Sequence, residues 1–329
     1  MLRHLTYFLE TLFLFTKSDL WTVMLPITAF SQFLVTTPSP LQNPQQRLVG
    51  LAASMLWTWL NLLQFATSNQ TEGASPSEDA KNKPYRPIPA KRITLYHARL
   101  LRWALIPITL VVSLGLHIRQ QHQHIETGAM TLAEEWKSIM SGGLGCIGPC
   151  IVIILLTIVH DEFGGHQHWL LKGGTTGIAY ASFAWGATCL ASYSPTLTQP
   201  QYFAIIRSTL IILTTIHAQD FRDVEGDTLL GRTTLPIAYP VLSRISMPLI
   251  LLGWSIFISF NAHLSLDSGI SILGLLARWA LITVAAWAGL RFRFLRDAKS
   301  DSKSYNMYNP VKDIWDLTAE LRAVEEVHF

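Results

Sequence analysis

Apolar runs long enough to span a bilayer recur down the chain, separated by polar connectors of unequal length. The first extends from Leu20 to Val35 and stops ahead of Pro38-Ser39-Pro40. Its amphipathic lead-in, about Leu5 to Asp19, either lies along the membrane surface or extends the helix inward. Further runs cover about Leu48 to Ala66, Leu100 to Ile118, Gly142 to Val159, Gly174 to Tyr193, Tyr202 to His217, Leu235 to Phe260 and Ile270 to Leu290. Pro107 marks a kink in the third, and Pro236, Pro240 and Pro248 give the seventh an irregular course. A short amphipathic patch, Leu132 to Trp136, interrupts the polar stretch from Arg119 to Ser141. The pattern predicts an all-α, polytopic transmembrane helical bundle of about eight spans. Residues 1–329 form one integral-membrane domain, with 297–329 a polar tail or peripheral helix.

Composition agrees with a bilayer as solvent. Half of the 329 residues are hydrophobic, 14% are charged and the mean hydropathy is +0.29, whereas soluble domains carry about 25% charged residues. A net charge of +3, with no Cys/His finger and no basic stripe interleaved with aromatics, argues against nucleic acid as a partner. Cys146, Cys150 and Cys189 lie in or beside apolar runs and read as buried small hydrophobes rather than a disulfide framework. Small residues at Ser141 and Gly145, Gly173 and Gly177, and Gly186 mark close helix crossings. No small-residue cleavage site follows the first apolar residues, so the first helix is expected to be retained.

The distribution of positive charge sets the topology. With eight alternating spans, the connectors after the second, fourth, sixth and eighth share one side. They carry Lys81, Lys83, Arg86, Lys91 and Arg92, then Lys172, then Arg222 and Arg232, then Arg291, Arg293 and Arg296. The connectors after the fifth and seventh have neither Lys nor Arg. Positive residues stay on the cytosolic face, so all these acid- and base-rich loops are expected there. Asn69-Gln70-Thr71, a glycosylation acceptor by pattern, should then remain unmodified. His117, His122 and His124 fall on the opposite side as surface residues.

The cytosolic loops carry the chemistry. Asp220, Asp223 and Asp227 follow an apolar helix at i, i+3 and i+7, which on a continued helix puts three carboxylates on one face. Such a cluster either holds a divalent, oxygen-liking cation or is a charged cap at the membrane surface. Mg²⁺ commonly shares its shell with phosphate. The connector from Asn69 to Arg92 brings Glu78 and Asp79 to a second apolar helix end, followed by Lys83 and Arg86. Carboxylates for metal beside Lys83, Arg86, Lys172, Arg222 and Arg232 for uncovered oxygens suit a diphosphate, although Lys172 reads equally as a helix cap. No Gly-Lys-Ser/Thr phosphate loop and no Ser-His-Asp arrangement is present. His160, His166 and His168 have no Cys beside them to suggest zinc. Asn61 is a buried amide that needs a partner in the bundle or the site. Phe65, Tyr180, Phe183 and Tyr239 are candidates for lining an apolar cavity, with core packing or lipid contact as the alternative.

These residues also carry a resemblance. Asp220-x-x-Asp223-x-x-x-Asp227 with Gly231-Arg232-Thr-Thr-Leu-Pro236 behind it is similar to the second Asp-rich motif of the UbiA superfamily of intramembrane prenyltransferases. Asp79-Ala-Lys-Asn82-Lys-Pro-Tyr-Arg86-Pro-Ile-Pro89 is similar to the end of its first motif. The family commonly has nine spans where eight are counted here. The resemblance implies Mg²⁺-dependent ionisation of a prenyl diphosphate, with Asn69, Glu78, Asp79, Asp220, Asp223 and Asp227 as metal ligands. The first motif departs from the family pattern: positions four and seven before Asp79 are Ser75 and Glu72. That altered form, with His160-Asp-Glu-Phe-Gly-Gly-His-x-His-Trp169, resembles the fungal branch of membrane-bound terpene cyclases. The expectation is a terpene cyclase acting on farnesyl or geranylgeranyl diphosphate in terpenoid secondary metabolism. The alternatives are an intermolecular prenyltransferase and a non-catalytic prenyl-lipid binder. Membrane lipid and other pathway enzymes are the further partners implied, and the endoplasmic reticulum the location in a eukaryotic host.

Overall fold

The computed structural model describes residues 2–35, 44–126, 143–229, 231–261, 272–309 and 312. They are overwhelmingly helical, and among them the one β contact is an isolated parallel bridge between His168 and Thr233. The helices are α1 (Leu2–Thr16), α2 (Leu25–Phe33, entered through a π-helical turn at Leu20–Met24), α3 (Pro44–Thr71), α4 (Ser75–Asn82), α5 (Leu95–Glu126) and α6 (Ile147–Asp161). After a 3₁₀ turn at Gly165–Gln167 come α7 (Trp169–Ser192), α8 (Gln199–Thr215), a second 3₁₀ turn at Ile216–Gln219, α9 (Val224–Leu229), α10 (Leu235–Ala238), α11 (Pro240–Asn261) and α12 (Ile272–Phe294). A last helix, α13, covers 298–309.

Three of these helices are long and apolar enough to cross a membrane among the described residues: Pro44–Thr71, Leu95–Gln121 and Pro240–Ser259. Two shorter apolar helices are Leu20–Phe33 and Ile147–Asp161. α3 and α5 outrun their apolar segments because the Gln, Arg and His residues at their ends carry a helix as readily as the core does. Pro240 ends α10 and opens α11, as the proline spacing anticipates. The patch Leu132 to Trp136, the small residue Ser141 and the tail beyond Lys312 lie outside the described residues.

Two compact units divide the chain. Unit 1 comprises residues 1–163 and 182–198, and unit 2 comprises 164–181 and 199–329. In unit 1, α3 packs on α1, α5 and α6. Its buried face is polar: Ser54, Thr58, Asn61, Gln64, Ser68 and Thr71 recur with helical period and are all buried, while Leu48 and Leu56 face outward. Lipid is as apolar as leucine, so polar side chains gain by turning toward other helices. Trp57 is the largest fully buried side chain there and donates from Nε1 to Ser113 Oγ at 2.9 Å. Gly186 makes room for it, since a Cβ at that position would stand 2.2 Å from the indole.

Unit 2 is organised by α11 packed on α12. Its core joins Ile211, Ala218, Phe221, Met247, Leu251, Ala285, Phe292 and Tyr308. Gly177 admits Leu213, whose Cδ2 would lie 2.3 Å from a Cβ on the glycine. The outer faces of α11 and α12 expose Val241, Leu249, Leu276, Trp279 and Trp287, an apolar surface suited to a bilayer. Cys146, Cys150 and Cys189 are buried and unbridged, as expected. His117 corrects an expectation: it is buried, 5% exposed, against the backbone of Gly145 rather than on the surface. Gly145 adopts φ 51°, and that tight turn carries the chain onto the imidazole.

Candidate active site

Unit 2 holds one acidic cluster. Past α8 the chain tightens into the 3₁₀ turn, and successive turns place Asp220 N–H on His217 O (3.0 Å), Asp223 N–H on Asp220 O (3.1 Å) and Asp227 N–H on Asp223 O (2.8 Å). The path is a tight turn followed by the short helix α9, so the three carboxylates do not share a face as a continued helix would require. Asp220 and Asp227 are buried, at 5% and 3% exposed. Asp223 turns outward and meets the Arg222 guanidinium Nε at 3.5 Å.

Local closure brings a base to this cluster from each side. Gly231, with φ 66°, caps α9: its N–H donates to Thr228 O at 3.1 Å and that of Arg232 to Asp227 O at 2.9 Å. This paired arrangement past a helix end needs a left-handed residue, which glycine supplies. It turns Arg232 back so that Nη1 donates to Asp227 Oδ1 at 3.0 Å. Thr233 then pairs with the segment before α7, its N–H donating to Gln167 O (2.7 Å) and its carbonyl accepting from Trp169 N–H (2.8 Å). Lys172, one turn into α7, is thereby set between the acids, with Nζ 2.6 Å from Asp220 Oδ1 and 3.9 Å from Asp227 Oδ2.

Asp227 Oδ2 is buried and accepts no hydrogen bond. Burial pushes the Asp220 carboxyl above its ordinary value, with the Lys172 ammonium pulling it back down. Hard carboxylate oxygens with one left unsatisfied fit a cation such as Mg²⁺.

Unit 1 holds the other cluster. α4 forms inside what reads as a polar loop: Pro76 stands in its first turn, Glu78 beside it and Lys81 in the last turn, an arrangement that favours a helix start and satisfies its dipole. Beyond α4, Lys83 N–H returns to Asp79 O at 2.8 Å and Arg86 N–H to Lys83 O at 3.0 Å. Arg86 thus folds back on Asp79, and its Nη1 donates to both carboxylate oxygens, at 2.7 and 2.9 Å. Both residues are buried. Lys83 and Glu78 are half-buried, as is Asn69 near the end of α3. Burial raises the nearby Asp19 carboxyl despite the charges of Arg86 and Lys83.

One charged residue escaped the sequence reading. Arg102 sits inside an apolar run, yet it is buried and reaches Glu72 (3.8 Å), Glu162 and Thr71 Oγ1 (3.3 Å). It ties the end of α3 to the end of α6, so both termini lie at one end of unit 1. An arginine about two turns from a helix start, with unpaired acids after two other helices, was the available signal.

The aromatic candidates divide by environment. Phe183 is buried edge-on to Trp57 at 6.3 Å and serves packing. Phe65 is half-buried, edge-on to His160 at 5.8 Å; His160 Nδ1 in turn lies 2.8 Å from Asp161 Oδ1. Asn61 donates to Trp57 O at 2.9 Å while its buried Oδ1 has no partner. Tyr180 lies beneath Lys312 at 5.7 Å, and Tyr239 is largely exposed, edge-on to Trp169 at 5.8 Å.

No family model matches the chain. It is 29% identical over 311 residues to the fumagillin beta-trans-bergamotene synthase af520 of Aspergillus fumigatus, covering 92% of this chain and 88% of that protein. It is 29% identical to the diterpene cyclase eriG of Hericium erinaceus (77% and 71% covered) and 28% identical to the polyprenyl transferase eriF of the same fungus (77% and 75%). Among solved structures, the fold is similar to that of a digeranylgeranylglyceryl phosphate synthase, with TM-score 0.61 at 16% identity over 96% of this chain and 99% of that one. A UbiA homologue from Archaeoglobus fulgidus, solved with DMAPP and Mg²⁺, gives 0.56 at 12% identity over the same shares.

Proposed function

We propose that the chain is a member of the UbiA superfamily, which its similarity to these proteins supports, and, from that premise, that it is an intramembrane terpene cyclase. It ionises a linear prenyl diphosphate, farnesyl or geranylgeranyl, and closes the freed chain on itself. The observation that carries the chemistry is the buried Asp220–Asp227 pair around Lys172, with Asp227 Oδ2 left unsatisfied. The preference for cyclisation rests on similarity to af520 along nearly the whole chain and on the irregular segment from Asn69 to Asp79.

Asp220 and Asp227 would hold Mg²⁺, with Asp223 on the outward side of the same turn; the unit 1 residues Asp79, Glu78 and Asn69, which the resemblance implies as ligands, would contribute less. The ion supplies charge neutralisation that lets diphosphate depart. The chain's own bases do the remaining electrostatic work: Lys172 and Arg232 from one cluster, Arg86 and Lys83 from the other, and Arg222 beside Asp223. Each donates charge-assisted hydrogen bonds to phosphate oxygens. Loss of diphosphate leaves an allylic cation, an alkene of the same chain supplies the electron pair that closes the ring, and the resulting cyclic cation becomes neutral by losing a proton, for which the released diphosphate is the available base. The protein would have to exclude water and offer aromatic faces to the migrating charge; Phe65 is the candidate in unit 1 and Tyr180 the candidate in unit 2.

Purified protein in nanodiscs, given Mg²⁺ and each diphosphate without an acceptor, is expected to release diphosphate and an extractable cyclic terpene of unchanged carbon count. EDTA should stop it. Similarity to eriF favours the second reading, intermolecular transfer. A dominant adduct whose mass is acceptor plus prenyl, formed only when an aromatic acceptor is added, would establish that reading instead.

A further inference from the structure

The acidic turn of unit 2 is too short to hold its own shape. Its 3₁₀ segment spans four residues, Ile216–Gln219, and α9 spans six, Val224–Leu229, and helical pieces of such length are unstable alone. Helix α13 and the residues that anchor it grip this turn at three points. Tyr308 Oη and Thr215 Oγ1 share a hydrogen bond at 2.6 Å, both groups buried. The Arg222 guanidinium stacks over the Tyr305 ring at 4.5 Å. Asp301, 1% exposed, takes both arms of Arg244, Nη1 at 2.5 Å and Nη2 at 2.7 Å. Arg244 also donates to Phe292 O at 2.9 Å and lies over the Phe221 ring at 4.1 Å. Phe221 is buried and tilts against Phe292 at 5.4 Å.

The grips fall at Thr215, Phe221 and Arg222, so they bracket Asp220 and adjoin Asp223. Phe221 seated in the core points inward from a turn whose neighbours on either side must then present Asp220 and Arg222 elsewhere. We infer that α13 is a brace for the acidic turn, and that Tyr305 and Tyr308 are positioning residues acting through Arg222 and Thr215. The polar stretch that reads as a tail or a peripheral helix thereby helps set the geometry on which cation binding depends. The inference rests on the function proposed above only for its catalytic consequence.

Hydrogen exchange of the full chain in nanodiscs tests it, read at residues 215–223 and compared with α3, α11 and α12. Tyr308→Phe, which removes one hydroxyl, should speed exchange in 215–223 about tenfold and leave the three reference helices unchanged. The Mg²⁺ concentration for half-maximal diphosphate release should rise several-fold in the same protein. Tyr305→Leu should act in the same direction, and Tyr305→Phe, which keeps the ring under Arg222, should behave as the parent. Unchanged exchange at 215–223 in both Tyr308→Phe and Tyr305→Leu overturns the brace. So does exchange that rises in step through α11 and α12, since the tyrosines would then be general core contacts. If the parent chain released no diphosphate, the exchange results would still decide the brace, and the proposed function alone would fall.

Discussion

The two acidic clusters neutralise their carboxylates differently. In unit 1, one guanidinium nitrogen of Arg86 covers both oxygens of Asp79. Removing one partner of such a buried pair costs about 3–5 kcal/mol. In unit 2, two buried acids share the Lys172 ammonium and Arg232, and one oxygen of Asp227 is left over. The first cluster is electrostatically closed, whereas the second has spare acceptor capacity. The comparison teaches that acidic motifs need not have matching tasks: on the proposed function, unit 2 would supply the primary cation affinity and unit 1 chiefly a held arginine.

The largest effect should follow from Asp227→Asn. It removes charge at the unsatisfied oxygen and should cut diphosphate release at least about a hundredfold, the usual scale for a lost electrostatic contact. Asp79→Asn is expected to cost about tenfold on the same scale, as a raised KM for prenyl diphosphate with little change in Mg²⁺ requirement. Steady-state kinetics at varied metal and substrate separate the two, and equal metal defects would erase the proposed division of labour.

A smaller effect is expected from Lys172→Met. Without metal, the two buried acids would be left to the Arg232 guanidinium on Asp227, so thermal unfolding should begin a few degrees earlier than in the parent. Millimolar Mg²⁺ should close much of that gap, because a bound cation takes over the ammonium's charge. A gap indifferent to Mg²⁺ would mean that Lys172 serves the fold alone.

The smallest effect concerns Asp19 in unit 1. Burial holds its folded pKa above the ordinary 3.8, so ionising it costs stability as pH rises through that raised range. Below the ordinary value the group is protonated in both states and the cost vanishes. Asp19→Asn should therefore melt higher than the parent at pH 7, with the gain fading in acid. A gain that persisted unchanged at pH 3 would point to packing instead of charge.

Much of this was legible in the sequence because a bilayer imposes one strong rule: apolar length means helix. The acidic and basic residues at helix ends were equally plain, since charge is rare in such a chain. What escaped depends on contacts distant in sequence. Arg102 looks like an intruder in a span until Glu72 and Glu162, 30 and 60 residues away, are seen beside it. The outward turn of Asp223 follows from a 3₁₀ segment that carboxylate spacing alone does not specify. The stretch holding α13 reads as a polar tail or a peripheral helix, and its packing was not legible because its apolar face is only Tyr305, Met307 and Tyr308 and its anchor, Asp301, is an acid that pairs with Arg244 from another helix. Local signals for α4 were present at Ser75-Pro76 and Glu78, but the surrounding polarity masked them.

Cation binding tests the central contrast most directly. Mn²⁺, standing in for Mg²⁺, can be titrated into nanodisc-held protein with inorganic diphosphate and followed by electron paramagnetic resonance. Asp79→Asn is predicted to bind Mn²⁺ nearly as the parent does, while Asp227→Asn loses most of the bound signal. Parent-like binding by Asp227→Asn, with loss in Asp79→Asn, would contradict the account.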